Sequence, residues 1–131
     1  MKELEQADQF LRKAADEEAL LDVALTEPKV TDSIYGFHCQ QAAEKLLKAL
    51  LSAKRVRFQK THDLQELLTL LEGAGEVLPG ALCRVDELTP YAVEWRYDYP
   101  PADRSFDRAA ARQLVRELRA FVHQKIHRST A

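Results

Sequence analysis

Phe37-His38-Cys39-Gln40-Gln41-Ala42-Ala43-Glu44-Lys45-Leu46-Leu47-Lys48-Ala49-Leu50-Leu51 is the stretch that decides the fold. Its apolar residues recur at helical spacing, and a stripe by fours runs Ile34, His38, Ala42, Leu46, Leu50. Phe37, Cys39, Leu47 and Leu51 widen that stripe beyond a single face. Such width predicts a helix packed against two neighbours, as at the centre of a bundle. Thr31-Asp32-Ser33 supplies capping residues for its start.

Outward from this segment the helical period persists. Toward the N-terminus, Leu4, Ala7, Leu11, Ala14, Leu21, Ala24 and Leu25 share one stripe, which Thr26-Glu27-Pro28 terminates. Toward the C-terminus, Lys54 to His62 is a basic connector. Asp63 then opens a third helix with Glu66 three positions on and a stripe of Leu64, Leu67, Leu68 and Leu71, and Gly73 and Gly75 end it. A shorter fourth helix is predicted over Ala81–Glu94, kinked near Pro90. A last helix is predicted from about Asp103 to His127, with Phe106, Ala110, Leu114, Leu118, Phe121 and Val122 as its apolar face. No segment alternates with period two. The expectation is an all-α chain, an antiparallel up-and-down bundle of four to five helices in one domain over 1–131.

Composition bounds the function. The 131 residues are 46% apolar and 31% charged, enough for one core without disulfides or a structural metal. No apolar run reaches the roughly 18 residues of a membrane span, and the N-terminus opens as acidic helical sequence. Cys39 and Cys83 form no CxxC, which points to a reduced, cytoplasmic setting. The net charge of −2 hides a polarity: residues 1–27 hold eight acidic against three basic residues, and residues 103–131 hold seven basic against three acidic. A wholly basic nucleic-acid surface is disfavoured, and a local anion site is not.

The common catalytic signatures are absent: no phosphate-cradling GxGxxG or GxxxxGK[ST], no HExxH, no GxSxG. Four scattered histidines and two cysteines argue against a metal, and nothing implies a cofactor. Glu17-Glu18 and Asp86-Glu87 are sequence neighbours, which point about 100° apart on a helix, so they read as solvated faces.

The Phe37–Leu51 run, followed by Lys60-Thr61-His62-Asp63-Leu64 and then by Tyr91 and Arg96-Tyr97, resembles the HEPN family. The resemblance extends from about residue 4 to 127. Where the family often shows Arg-Tyr-Pro, this chain has Arg96-Tyr97-Asp98-Tyr99-Pro100, two residues longer. The resemblance implies a helical bundle that is usually a homodimer and is often encoded beside a minimal nucleotidyltransferase, some such pairs acting as toxin and antitoxin. Other relatives are metal-independent ribonucleases with four to six residues between an Arg and a following His. That spacing occurs here from Arg55 and Arg57 to His62 and from Arg116 to His123, while Arg96 has no His in reach.

Chemistry alone singles out similar residues. Metal-free RNA cleavage needs a base near neutral pH and a cation that forks onto phosphate, and His and Arg supply these. Arg112, Arg116, Arg119, His123 and His127 fall within about 80° on one helical face. They read as a solvated face or as an anion-binding stripe, with Arg116 and His123 the catalytic candidates. In the connector, Arg57, Lys60 and His62 flank Phe58, as a polar loop or as a nucleotide-phosphate contact. His38 reads as a hydrogen-bonded core histidine, or as standing with Gln41 at the rim of a cleft. Arg96 sits among Tyr91, Trp95, Tyr97 and Tyr99, residues that serve as packing anchors or as a partner surface. Three functions follow: a nucleotide- or RNA-associated regulatory partner of a minimal nucleotidyltransferase, a metal-independent endoribonuclease toxin, or a ligand-free helical scaffold. None of them involves a membrane.

Overall fold

The computed structural model describes residues 2–101 and 105–130, with side chains as far as His127. In chain order it contains α1 (Lys2–Ala24), α2 (Asp32–Ala53), α3 (Leu64–Gly73), α4 (Gly80–Cys83), a 3-10 segment (Arg84–Leu88), α5 (Thr89–Val93) and α6 (Arg108–Thr130). Among the described residues there is no strand. The helix starts follow their caps. The Thr31 side chain accepts from the Ile34 N–H at 3.3 Å, and that of Asp63 from the Gln65 N–H at 3.0 Å. The expected start near Asp103 lies outside the described residues. α6 begins at Arg108 because the Asp107 carboxylate accepts from the Ala110 N–H at 3.0 Å.

α2 is the axis of the molecule. α1 packs against it as an antiparallel hairpin, with the Tyr35 hydroxyl donating to the Leu21 carbonyl at 3.1 Å. α6 runs parallel to α2. At one end Arg108 donates through Nε to Asp32 (2.8 Å) and through Nη1 to the Ala24 carbonyl (2.8 Å). At the other end Lys54 and Lys125 share Glu76, each at 3.3 Å. Between these, the connector retraces α2 from Phe58, whose ring lies 5.8 Å from Lys48 Nζ, to His62 beside Glu44. The up-and-down alternation is therefore kept, with extended chain as one leg. α3 returns toward the far end. The Gly80–Val93 run comes back until Thr89 accepts from the Leu64 N–H and Tyr91 lies on Gly36.

The core is aliphatic, and α2 is buried nearly all round: Tyr35, Cys39, Ala42, Ala43, Leu46, Leu47, Leu50 and Leu51 are sealed. This shifts the expected faces. Ile34 is 51% exposed and Tyr35 takes its place, its hydroxyl bonded to Leu21 of α1 and its ring edge-on to Phe106. On α6 the sealed face is Ala111, Val115, Leu118, Val122 and Ile126, and Ala110 is exposed. Phe106 precedes the helix and packs edge-on against Tyr35 and Tyr91. The fourth helix is interrupted at the 3-10 segment and not at Pro90, since Pro90 lies in the first turn of α5, where a missing N–H costs nothing.

The largest correction concerns Glu17 and Glu18, which do not form a solvated face. Glu18 is 5% exposed and occupies the slot between Ala14 and Leu21 on the apolar stripe of α1. Arg112 of α6, 3% exposed, donates to it at 2.8 Å and forks onto Asp22 at 2.7 and 3.2 Å. The buried Arg112 guanidinium thus ties the last helix to two carboxylates of the first, the sealed Glu18 and the exposed Asp22, across 90 or more residues of sequence.

Candidate functional site

Three clusters hold the residues singled out by sequence. The first joins the two motif segments. Glu44, 4% exposed, accepts from His62 Nδ1 at 2.8 Å, Gln40 Nε2 at 3.1 Å and Lys48 Nζ at 3.0 Å. Gln40 also donates to the His62 carbonyl at 2.8 Å, and Gln41 donates to the Gln40 side chain at 2.7 Å. Burial alone would raise the Glu44 carboxyl, but the bonds from His62, Lys48 and Gln40 outweigh it and hold it below the ordinary value. His62 therefore anchors the connector to α2, and the cap of α3 is Asp63. Arg57 and Lys60, on the same connector, are exposed and carry no ion pair among the described residues.

The second cluster is the cationic stripe of α6. Besides Arg112, Arg116 lies 3.2 Å from Asp22, and Arg119 lies 3.3 Å from Glu18. The paired guanidinium of Arg112 draws the Asp22 carboxyl below its usual value. His123 packs beside His127 with ring centroids 5.6 Å apart. Burial, then Arg119 and His127, push its imidazole below the ordinary value. Much of the stripe is thus spent on the acidic face of α1, which accounts for the opposed charges of the two chain ends.

The third cluster is a groove of about 590 Å³ where the start of α2 faces the turn after α5. Ile34, Phe37 and His38 form one wall, and Trp95, Arg96, Tyr97 and Tyr99 the other. His38 Nδ1 donates to Glu17 at 2.6 Å, so a carboxylate of α1 orients the imidazole. The Arg96 guanidinium lies 5.4 Å from the Phe37 and Tyr97 ring centres and has no carboxylate partner among the described residues. Tyr97 and Tyr99 are 83% and 84% exposed, whereas Tyr91 is buried beneath Trp95 and Phe106. An aromatic wall, an unpaired guanidinium and an oriented imidazole are the components that stack a base, hold a phosphate and exchange a proton.

Sequence-predicted His38 and Arg96 therefore meet, although 58 residues separate them. Gln41 does not line their groove, and instead accepts from Lys45 at 2.8 Å. Arg57 and Lys60 lie toward the other end of α2, and Arg116 and His123 on α6. Glu17 escaped the sequence reading, since nothing local marks a carboxylate whose partner lies on another helix. The helical stripe places Phe37 and Ile34 in the core, whereas the structure sets both in the groove wall, because a stripe cannot show which of its members a neighbour covers. Among the described residues no three His, Cys, Asp or Glu side chains are grouped to hold a metal ion, and no helix is long and apolar enough to cross a membrane.

Comparison with curated proteins and with solved structures gives no significant match. The family model described as HEPN domain matches residues 2–127. That span takes in α1 through nearly all of α6, including both motif segments that converge on Glu44. It supports a nucleotide- or RNA-associated module as the general role, and the chain belongs to the HEPN domain family.

Proposed function

We propose that this chain is a single-domain, cytoplasmic nucleotide- or RNA-binding module that regulates, or is regulated by, a minimal nucleotidyltransferase, in a toxin–antitoxin-like pair and as a homodimer. One observation carries the reading: Arg96 stands without a carboxylate partner among the described residues, over Phe37 and beside His38, in a groove walled by exposed tyrosines. Arg112, Arg116 and Arg119 of α6 have partners on α1, whereas Arg96, Arg57 and Lys60 have no carboxylate partner among the described residues. The test is thermal unfolding with AMP, UMP and short RNA, together with co-expression of the neighbouring reading frame and a search for a co-purifying nucleotidyltransferase. Binding should raise the melting temperature, and Arg96→Ala should remove most of that rise. No shift with any of these ligands, and no captured partner, leaves the scaffold reading.

The Glu17–His38 pair facing Arg96 supports a second reading, metal-independent RNA cleavage. Such an enzyme cuts RNA in EDTA. Dependence on His38 and Arg96 favours the groove as its site, and dependence on Arg116 and His123 favours α6.

A further inference from the structure

Positions 34, 38, 41, 45 and 48 of α2 fall within about 80° on the helical wheel, so one stripe of this helix leads away from the groove. Its members are Ile34 and His38 in the groove, then Gln41, Lys45 and Lys48. Lys48 ends the stripe as a buried residue, covered by the Phe58 ring and held by Glu44. Lys45 is half-buried and its ammonium is held only by the neutral Gln41 amide, at 2.8 Å, with no carboxylate within ion-pair distance among the described residues.

The connector borders this stripe on one side. It runs from Phe58, level with Lys48, to His62, level with Glu44, and so carries the exposed Lys60 past Lys45. Beyond Phe58 lies a second cleft, of about 360 Å³, that includes Arg57. Of the carboxylates along the way, Glu17 is engaged with His38, Glu44 with His62, Glu66 with the Thr61 hydroxyl and Asp98 of the groove with the Tyr99 N–H, while Glu3 borders the second cleft.

From this arrangement we infer that groove and connector are the two ends of one path for single-stranded RNA, with Lys45 as the phosphate contact between them. The inference rests on the nucleotide- or RNA-binding reading and specifies its ligand as a polymer rather than a free nucleotide. From Phe37 to the level of Lys48 the helix rises about 17 Å at roughly 1.5 Å per residue. At a stacked rise of roughly 3.4 Å per nucleotide this is about five nucleotides. Exposed Tyr97 and Tyr99 receive bases at one end, and Phe58 offers a partly exposed ring at the other.

The experiment is a binding series with UMP, diuridylate, hexauridylate and dodecauridylate, measured across several salt concentrations. Affinity should climb at least tenfold from UMP to hexauridylate and then level off. Lys45→Gln should weaken hexauridylate binding about fivefold and lower the salt slope by about 0.7, one phosphate contact on a single strand. Lys60→Gln, at an exposed position with no ion pair among the described residues, should repeat that loss, and an unchanged melting temperature confirms that each variant is folded. Equal affinity for UMP and hexauridylate, or a Lys45→Gln protein with the parent's affinity and slope, overturns the path and leaves the nucleotide reading standing. Absence of binding by every probe overturns both.

Discussion

The imidazole of His62 stands 2.8 Å from the carboxylate of Glu44, joining a connector that has no regular structure to the most buried helix of the molecule. Around this contact Gln40 bonds both partners, to the Glu44 carboxylate and to the His62 carbonyl. The connector is thereby fixed along α2, and the start of α3 is fixed with it. Nearly every polar atom in the knot has a partner, as a low-dielectric site requires.

Acid stability should report on Glu44. Its folded-state carboxyl is held below the unfolded value, so its contribution is fully present above the unfolded carboxylate range, near 4.3, and is lost as pH falls through the lower folded value. Glu44→Gln should flatten that acid limb of the unfolding free energy. His62→Ala should cost about 1–3 kcal/mol at neutral pH, since it leaves a buried acceptor short of a donor. Urea unfolding across pH 3 to 7 measures both. An acid limb unchanged in the Gln variant would remove Glu44 as its cause.

Gly36 makes a different demand. A Cβ placed there would lie 2.5 Å from Tyr91 Cδ1 and 2.7 Å from Cε1. Glycine to alanine within a helix ordinarily stabilises by up to about 1 kcal/mol. Here the sign should reverse, with Gly36→Ala costing about 1–3 kcal/mol by overpacking a sealed ring. In a Tyr91→Ala background the penalty should vanish. Urea midpoints of the four proteins close the cycle.

Among the arginines of α6, burial should rank the losses. Arg112→Ala leaves Glu18, sealed on the apolar stripe of α1, with only the half-exposed Arg119 at 3.3 Å, and should cost about 3 kcal/mol. Arg116→Ala loses one half-exposed contact with Asp22 and should cost about 1 kcal/mol or less. The double variant Glu18→Leu/Arg112→Met should recover most of the first loss, since paired removal leaves no buried charge behind. Chemical denaturation compares the three, and equal costs for Arg112→Ala and Arg116→Ala would refute this ranking.

Thiol reactivity should separate the two cysteines. Burial pushes the Cys39 thiol up to about 12, so at neutral pH it is neutral as well as inaccessible. Cys83 is half-buried, with its thiol 3.7 Å from the Leu78 carbonyl. Alkylation of the native protein at pH 7.5 should label Cys83 well before Cys39. Unfolding should bring the second label, as counted by mass spectrometry.

Local pattern was enough for the elements themselves. Thr31, Asp63 and the 3.6-residue period of the segments place α1, α2, α3 and α6, because caps and amphipathic stripes act within a few residues of each other. The width of the Phe37–Leu51 stripe marks that run as central, since only a helix with several neighbours needs so wide an apolar surface. The sequence could not distinguish a charge facing water from one facing an opposite charge. Glu18 and Arg112 look like surface residues until α1 and α6 are side by side, although the position of Glu18 between Ala14 and Leu21 was a local hint. Tertiary packing alone decided that α6 turns its guanidinium groups inward to α1, that Glu17 orients His38, and that His38 and Arg96 share one groove. Such pairings depend on which helices lie together and at what register, and that is settled by burying a whole core and not by any one segment.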